Sequence, residues 1–411
     1  MNIGLFGGTF DPFHKGHCAI IKGALKSGFV DAVIVIPSAR SPFKNGSCMT
    51  AAPYRYYMTL HAVEDEFKGE DVFVSDIEFS YKGLSYTVTT IEEISNKSYI
   101  SNFLSSHGVS EKKAAGEHKF FWICGSDVIP TFNKWHEYER IFALADLLIA
   151  KRPGDDSDID AFRNSLALDL GKEPGVHEFH IEGVDVSSSE IKASGKLKGV
   201  PKSVKDFIKT HALYETPDPM SFVSPDTART FLENAVTLYG YLGEKRLLHT
   251  LNVGILSAKY AYLYDKSLCD NALIAGQLHD CAKELDDNGQ KEMARERSGD
   301  LFEDKKLWHS PAGAVMAENV FGVKDEDILD AITYHTTGRG DMTLLDKIVY
   351  LADKLEPSRT YADLSKQRSL ALDGDMDEAL RMCVKSVERK FKDRGQEIHP
   401  LTVDFMGDLG L

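Results

Sequence analysis

The chain is 411 residues long, enough for two or three domains. It is 43% hydrophobic and 27% charged, which excludes a disordered chain. With 48 basic against 63 acidic residues the net charge is -15. That excludes a general nucleic-acid-binding surface, but not a small phosphorylated ligand or a divalent metal.

The first residues carry neither a basic nor a long apolar segment, so no signal peptide is expected. The longest apolar stretch, 141–150, contains Asp146 and is too short to span a bilayer. Six scattered cysteines with no CxxC pair predict reduced thiols in a cytoplasmic protein. Strands are predicted at 2–6, 31–36, 72–79, 120–124, 147–150 and 178–181. Helices are predicted at 17–26, 53–66, 86–94, 188–197 and 201–211. Several of the strands are nearly continuous apolar runs, as parallel strands covered on both faces are. The alternation predicts an α/β doubly wound, Rossmann-like parallel sheet. The polar stretch 97–117 is read as a surface insertion without a function.

Two prolines, Pro217 and Pro219, interrupt the pattern. The expected division is a first domain over 1–215, a linker over 216–228 and a second domain over 229–411. Beyond the joint only helical periodicity remains, at 229–241, 245–262, 269–278, 312–321, 325–333, 342–354 and 375–392, which predicts an all-α domain. Residues 216–411 hold 34 acidic against 24 basic side chains, so the acidity is concentrated there.

The sharpest local signal is Gly7-Gly8-Thr9-Phe10-Asp11-Pro12-Phe13-His14-Lys15-Gly16-His17. It lies between the first strand and the first helix, where a doubly wound fold places its ligand. Gly7, Gly8 and Gly16 allow a phosphate to approach the backbone, and His14 and His17 can face the same phosphates. This segment resembles the His-x-Gly-His signature of the nucleotidyltransferases, and residues 1–212 resemble bacterial nicotinate-nucleotide adenylyltransferase. The resemblance is carried further by Ser41-Pro42-Phe43-Lys44, Asp76-Ile77-Glu78, Ser85-Tyr86-Thr87 and Cys124-Gly125-Ser126-Asp127. Trp135, Lys151-Arg152-Pro153-Gly154 and Val186-Ser187-Ser188-Ser189-Glu190-Ile191-Lys192 complete it.

The resemblance implies AMP transfer from ATP to nicotinate mononucleotide, by in-line attack without a protein nucleophile. His14, His17 and Lys44 would act on the reacting phosphates. Gly7, Gly8, Thr9, Phe10, Gly125, Asp127, Arg152, Ser188, Ser189 and Lys192 would bind ATP or substrate, with Mg²⁺ on the triphosphate. Trp135 would stack on the pyridine ring, and Ser85, Tyr86 and Thr87 would receive its carboxylate. Two departures are visible: Lys192 stands where the family usually has Arg, and Phe43 where a histidine is common.

In the second half His249, the pair His279-Asp280, His309, His335 and Asp353 follow an H…HD…H…H…D order. Imidazole plus carboxylate is a ligand set for Fe, Mn, Co or Zn. The order resembles the HD-domain phosphohydrolases. Residues 229–405 resemble the bacterial HD-domain enzyme that splits diadenosine tetraphosphate symmetrically to two ADP. That resemblance implies two metals, iron first among the candidates, bridged by Asp280. His249, His279 and Asp353 would complete one site, and His309 with His335 the other. Water acidified between the metals would attack phosphorus, with Lys283, Arg339 and Arg359 neutralising the polyphosphate.

The expected partners are therefore ATP, nicotinate mononucleotide and diadenosine tetraphosphate, with no nucleic acid and no membrane; a homo-oligomer is compatible with this. The rival reading is another adenylyl- or cytidylyltransferase, such as the phosphopantetheine enzyme, whose HD domain serves as a nucleotide-binding regulatory module.

Overall fold

The computed structural model describes residues 1–40, 49–183, 186–360 and 364–411. Two compact units divide between Ile208 and Lys209, with the described residues of 1–45 and 54–208 in the first.

The first unit is built on six parallel strands: β1 (Asn2–Gly8), β2 (Ala32–Pro37), β3 (Val72–Val74), β4 (Lys119–Gly125), β5 (Asp146–Lys151) and β6 (Val176–His180). Their order is β3-β2-β1-β4-β5-β6, every pairing parallel. All six residues of β2 are buried, as a strand covered on both faces must be. The order reverses between β1 and β4, so the crevice beyond Gly8 and Gly125 is the topological switch point.

The helices of this unit are α1 (Lys15–Lys26), α2 (Ala52–Glu66), α3 (Thr87–Ser95), α4 (Lys97–Ser106), α5 (Glu111–Ala114), α6 (Tyr138–Leu144), α7 (Ile159–Leu170), α8 (Ser188–Ser194) and α9 (Lys202–Thr210). The strand expected over 72–79 stops at Val74. A 3-10 turn, Ile77–Ser80, replaces its second half. The turn lets the buried Glu78 carboxylate accept from the Ala39 amide (3.1 Å) and the Thr90 hydroxyl (2.8 Å). The stretch 97–117 is not a surface insertion alone. Asn96 caps α4 by accepting from the amides of Ser98 and Tyr99. Ile100, Leu104 and Ala114 are buried in the core beside the sheet.

The second unit is helical, with no strand among its described residues: α10 (Pro225–Tyr239), α11 (Glu244–Tyr264), α12 (Cys269–Leu278), α13 (Asp287–Ser298), α14 (His309–Asn319), α15 (Glu326–Tyr334), α16 (Leu344–Leu355), α17 (Ser365–Leu372), α18 (Met376–Asp393) and α19 (Pro400–Asp408). The stretch expected as a linker over 216–228 is packed into this unit. Pro219 is buried, and the ring of Phe222 stacks on Tyr262 at 4.0 Å. Pro225 stands at the first turn of α10 behind the Ser224 cap, where proline begins a helix rather than breaking one.

Helices α11 and α12 cross at backbone contact. A Cβ on Gly276 would lie 2.9 Å from the Gly254 Cα and 2.6 Å from the Ser257 Oγ. Only glycine at both positions permits that approach. We therefore expect Gly276→Ala to destabilise the second unit by about 1–3 kcal/mol through overpacking. Urea unfolding monitored on that unit measures it.

Candidate active sites

At the switch point a cleft of about 370 Å³ opens past the ends of β1 and β4. Gly8, Thr9, His14, His17, Arg152 and Ser188 line one part of it, and Ser85, Thr87, Asp127 and Trp135 another. The absent side chain of Gly7 leaves room for the Trp122 ring, which a Cβ there would meet at 2.5 Å. The space at Gly8 is taken by Phe10 in the same way (2.8 Å). These glycines thus serve packing as well as the backbone approach expected of them. Phe10 itself holds a left-handed conformation (φ 49°), and the buried Arg55 donates to the Thr9 carbonyl at 2.7 Å, fixing the loop.

His14 precedes α1, and its amide donates to Nδ1 of His17 at 3.1 Å. The two rings stack with centroids 3.7 Å apart. Because the His17 Nδ1 accepts, the proton of the neutral ring sits on Nε2, a donor for a ligand. Burial, reinforced by the nearby Arg152 charge, lowers His14 to about 4. Burial, then His14 and Arg152, puts His17 well below its ordinary value. The His14 Nδ1 is buried with no hydrogen-bond partner. Both rings are therefore uncharged and preset to donate to, or take a proton beside, an anion.

Thr87 is the first residue of α3, so its amide is one of the free N–H groups of a helix start. Tyr86 caps that helix and lies against His136, ring centroids 4.3 Å apart. Ser85 exchanges hydrogen bonds with the Arg40 backbone, donating at 2.9 Å and accepting at 3.2 Å. Trp135 packs on Phe132 at 5.1 Å and still lines the cleft. The Ser188 hydroxyl donates to the Pro12 carbonyl at 3.0 Å. Lys192 is not among the lining residues; its ammonium meets the buried Asp11 at 2.8 Å, joining α8 to the signature loop. Ser189 is exposed and also outside the lining. Lys44 lies outside the described residues.

In the second unit five helical segments converge. His249 is inside α11, His279 and Asp280 follow α12, His309 opens α14, His335 follows α15 and Asp353 is on α16. Two donor groups form, His249–His279–Asp280 and Asp280–His309–His335, the donor atoms of each within 4.8 Å of one another. Asp280 belongs to both. Its Oδ1 lies 3.3 Å from Nε2 of His309 and 3.4 Å from Nε2 of His335; its Oδ2 lies 3.6 Å from Nε2 of His279. Asp353 Oδ1 is 3.1 Å from Nε2 of His249 and 3.7 Å from Nε2 of His279.

The tautomers follow from the other ring nitrogens. Nδ1 of His279 donates to the Gly276 carbonyl and Nδ1 of His335 to that of Ile332, both at 2.7 Å. Nδ1 of His249 donates to Glu356 at 3.1 Å. Each Nε2 therefore presents a lone pair to the centre, facing carboxylate oxygens and, between His249 and His279, another Nε2 at 3.2 Å. Burial lowers His279 to about 3 and His309 well below the imidazole range. Burial opposes ionisation of Asp280 too, yet the imidazoles around it hold its carboxyl well below the carboxylate range. Its Oδ1 is buried without a hydrogen-bond donor. Convergent lone pairs around an ionised, orphaned oxygen fit a cation, and the donor set suits divalent metals.

The flanking cations differ from expectation in part. Lys283 is at the cluster, its Nζ 2.8 Å from either ring nitrogen of His309. Arg359 reaches Asp353 Oδ1 at 2.7 Å. Arg339 does not reach the cluster. Gly338 turns the chain there (φ 69°), and the guanidinium holds Asp330 at 2.9 Å and Asp346 at 2.8 Å over the Tyr334 ring. Sequence reasoning missed Arg246, which contacts Asp280 from one turn before His249, and Thr336, 3.2 Å from His309 and 3.0 Å from His335. Arg246's signal was its i, i+3 spacing to His249 on a helix. Glu356 was equally missed; it follows Asp353 by three.

The cytidylyltransferase-like family model matches residues 5–194, and the HD domain model residues 246–358. The chain is 27% identical over 365 residues, 88% of itself and 90% of the relative, to a Mycoplasma pneumoniae protein named probable nicotinate-nucleotide adenylyltransferase/Ap4A hydrolase. It is 33% identical to a Clostridium tetani protein named probable nicotinate-nucleotide adenylyltransferase, over 51% of this chain and 97% of that one. It is 37% identical to the Bacillus subtilis protein named bis(5'-nucleosyl)-tetraphosphatase, symmetrical, over 39% of this chain and 87% of that one.

Three outcomes follow from this geometry. The folded pKa of His14 lies below its unfolded value, so the unfolded chain takes up the proton first. Stability of the first unit is then full above about 6.5 and falls as pH drops toward about 4. Denaturant unfolding across that window should show a shallower slope for His14→Asn. In the second unit, Asp280→Ala should reduce bound metal from about two equivalents to below one by elemental analysis. Arg339→Ala should keep the metal while costing about 1–3 kcal/mol of stability, because it strands Asp346.

Proposed function

The chain belongs to the nicotinate-nucleotide adenylyltransferase family through its first unit and to the HD-domain symmetrical bis(5'-nucleosyl)-tetraphosphatases through its second, and on that premise we propose how each site does its chemistry. The enzyme is bifunctional. The first unit transfers AMP from ATP to nicotinate mononucleotide, giving nicotinate adenine dinucleotide and pyrophosphate. The second hydrolyses diadenosine tetraphosphate symmetrically to two ADP.

In the first reaction a phosphate oxygen of the mononucleotide attacks the α-phosphorus of ATP in line. That oxygen is already anionic, so the protein positions and neutralises rather than supplying a nucleophile. The observation that supports this is the stacked, uncharged His14–His17 pair at the switch point. Its N–H groups, with the Arg152 charge and the Ser188 hydroxyl, are assigned to the ATP phosphates and the departing pyrophosphate. Gly7, Gly8, Thr9, Phe10, Gly125 and Asp127 are proposed to shape the nucleotide side, and Mg²⁺ enters with ATP. Trp135 is proposed to stack on the pyridine ring, with Ser85, Tyr86 and the Thr87 amide receiving its carboxylate. Lys44 and Ser189 remain proposed phosphate contacts. Lys192 is reassigned to holding the loop through Asp11.

In the second reaction His249, His279, Asp280 and Asp353 would hold one divalent ion, and Asp280, His309 and His335 a second. Bound there, such ions neutralise polyphosphate charge and acidify water. Iron is proposed as the resident metal on the family resemblance; the donor set of imidazole and carboxylate admits it together with Mn, Co and Zn. The protein's own part is to place cations around the phosphates: Lys283, Arg246 and Arg359, the last two released from Asp280 and Asp353 when substrate charge arrives. A cytoplasmic location is proposed from the nucleotide substrates and from five buried cysteines that are free.

His17→Ala should lower the transferase kcat by about 10²–10³ while ADP release from diadenosine tetraphosphate continues at its normal rate. Asp280→Asn should do the reverse. Chromatography of products from one protein preparation measures both. Nicotinamide mononucleotide outcompeting nicotinate mononucleotide would overturn the substrate assignment.

A further inference from the structure

Three of the four histidines in the cluster donate from Nδ1, but only one of the acceptors is charged. His279 and His335 use backbone carbonyls, whereas His249 uses the carboxylate of Glu356. That carboxylate is almost fully buried, at 1% exposure. A carboxylate taken out of water is retained only where donors surround it. Here they do. Oε1 accepts from His249 Nδ1, and Oε2 from Asn252 Nδ2 at 2.9 Å and the Ser358 amide at 2.8 Å; the Ser358 hydroxyl reaches both oxygens. The turn that carries Glu356 is itself clamped. Arg368 donates to the carbonyls of Leu355, Glu356 and Arg359 at 2.9, 2.8 and 3.1 Å.

The placement has a logic in helix spacing. Asn252 is one turn after His249 on α11, and Glu356 is one turn after Asp353, just past the end of α16. Two adjacent donors on one helix thus meet one carboxylate from the other. The same α16 segment brings Asp353 to 3.1 Å from the His249 Nε2 and Glu356 to its Nδ1, so the imidazole is oriented through the far nitrogen while the near one faces the cluster. A carboxylate on the far nitrogen fixes the tautomer and raises the electron-donating power of the near one.

We propose that Glu356 is the positioning residue of the metal site that contains His249. Held by Asn252 and Ser358, it strengthens the binding of an ion at that site and leaves the His309–His335 site unaffected. This rests on the cluster being a two-metal site, and the experiment separates the two ideas. Metal is titrated back onto the chelator-stripped full-length protein, with stoichiometry and affinity read for each equivalent. If the wild-type chain takes up no metal, the two-metal reading fails by itself. If it takes up two, Glu356→Gln, which keeps shape and removes charge, should weaken one equivalent by about 10- to 100-fold and leave the other unchanged. Asn252→Ala should weaken the same equivalent by less, with Glu356 still in contact with His249. Both equivalents bound by Glu356→Gln at wild-type affinity, or both weakened alike by Asn252→Ala, would overturn the inference. Should Glu356→Gln not fold, the Asn252→Ala titration decides it.

Discussion

A carboxylate taken away from water stays ionised only where positive charge or hydrogen-bond donors surround it. The second unit is arranged around that constraint. Five helical segments end or cross at Asp280, and the ring nitrogens pointing away from it are mostly committed to carbonyls or to Glu356. The backbone contact between α11 and α12 at Gly254 and Gly276 is what brings His249 and His279 within reach. Packing and chemistry are therefore not separable here. The crossing that close-packs the core also sets the distance between two ligands.

The first unit meets anions by the opposite means. Its histidines are neutral because burial and Arg152 oppose their charge. The bond from the His14 amide fixes the His17 tautomer, and both rings line the cleft at the end of a parallel sheet. On the proposed reading, one half of the chain gathers lone pairs for cations and the other gathers N–H donors for phosphates.

Much of this was legible in the residues. Nearly continuous apolar runs marked β1, β2, β4 and β5 closely, because a strand buried on both faces leaves little ambiguity of pattern, and the more polar β6 was read two residues late. The sixth, β3, was overread, since nothing in Asp76-Ile77-Glu78 announces that Glu78 will turn inward to bind Ala39 and Thr90. Helix α13 was invisible because only Ala294 on it is buried, so it has no apolar stripe. The stretch 97–117 hid a core contribution behind polar composition. That the histidines and aspartates of the second unit would gather could be read from an ordered series of residue types. Their supports were harder to read: Arg246 showed only an i, i+3 spacing to His249, and Glu356 acts through the approach of two helices, which spacing along one chain does not reveal. Arg339 shows the converse error, a cation close in sequence to His335 that the glycine turn directs to Asp330 and Asp346.

The ion pair between Asp11 and Lys192 joins residues 181 positions apart. Asp11 sits in the nucleotide loop and is emitted early during synthesis, whereas Lys192 emerges only when the rest of the sheet has been made. The loop cannot have this partner until the chain beyond the last strand has been made. A shortened first unit that kept every residue of the signature but ended before α8 would leave a buried acid facing no lysine. The boundary of the active site, counted along the chain, is therefore almost the boundary of the domain itself.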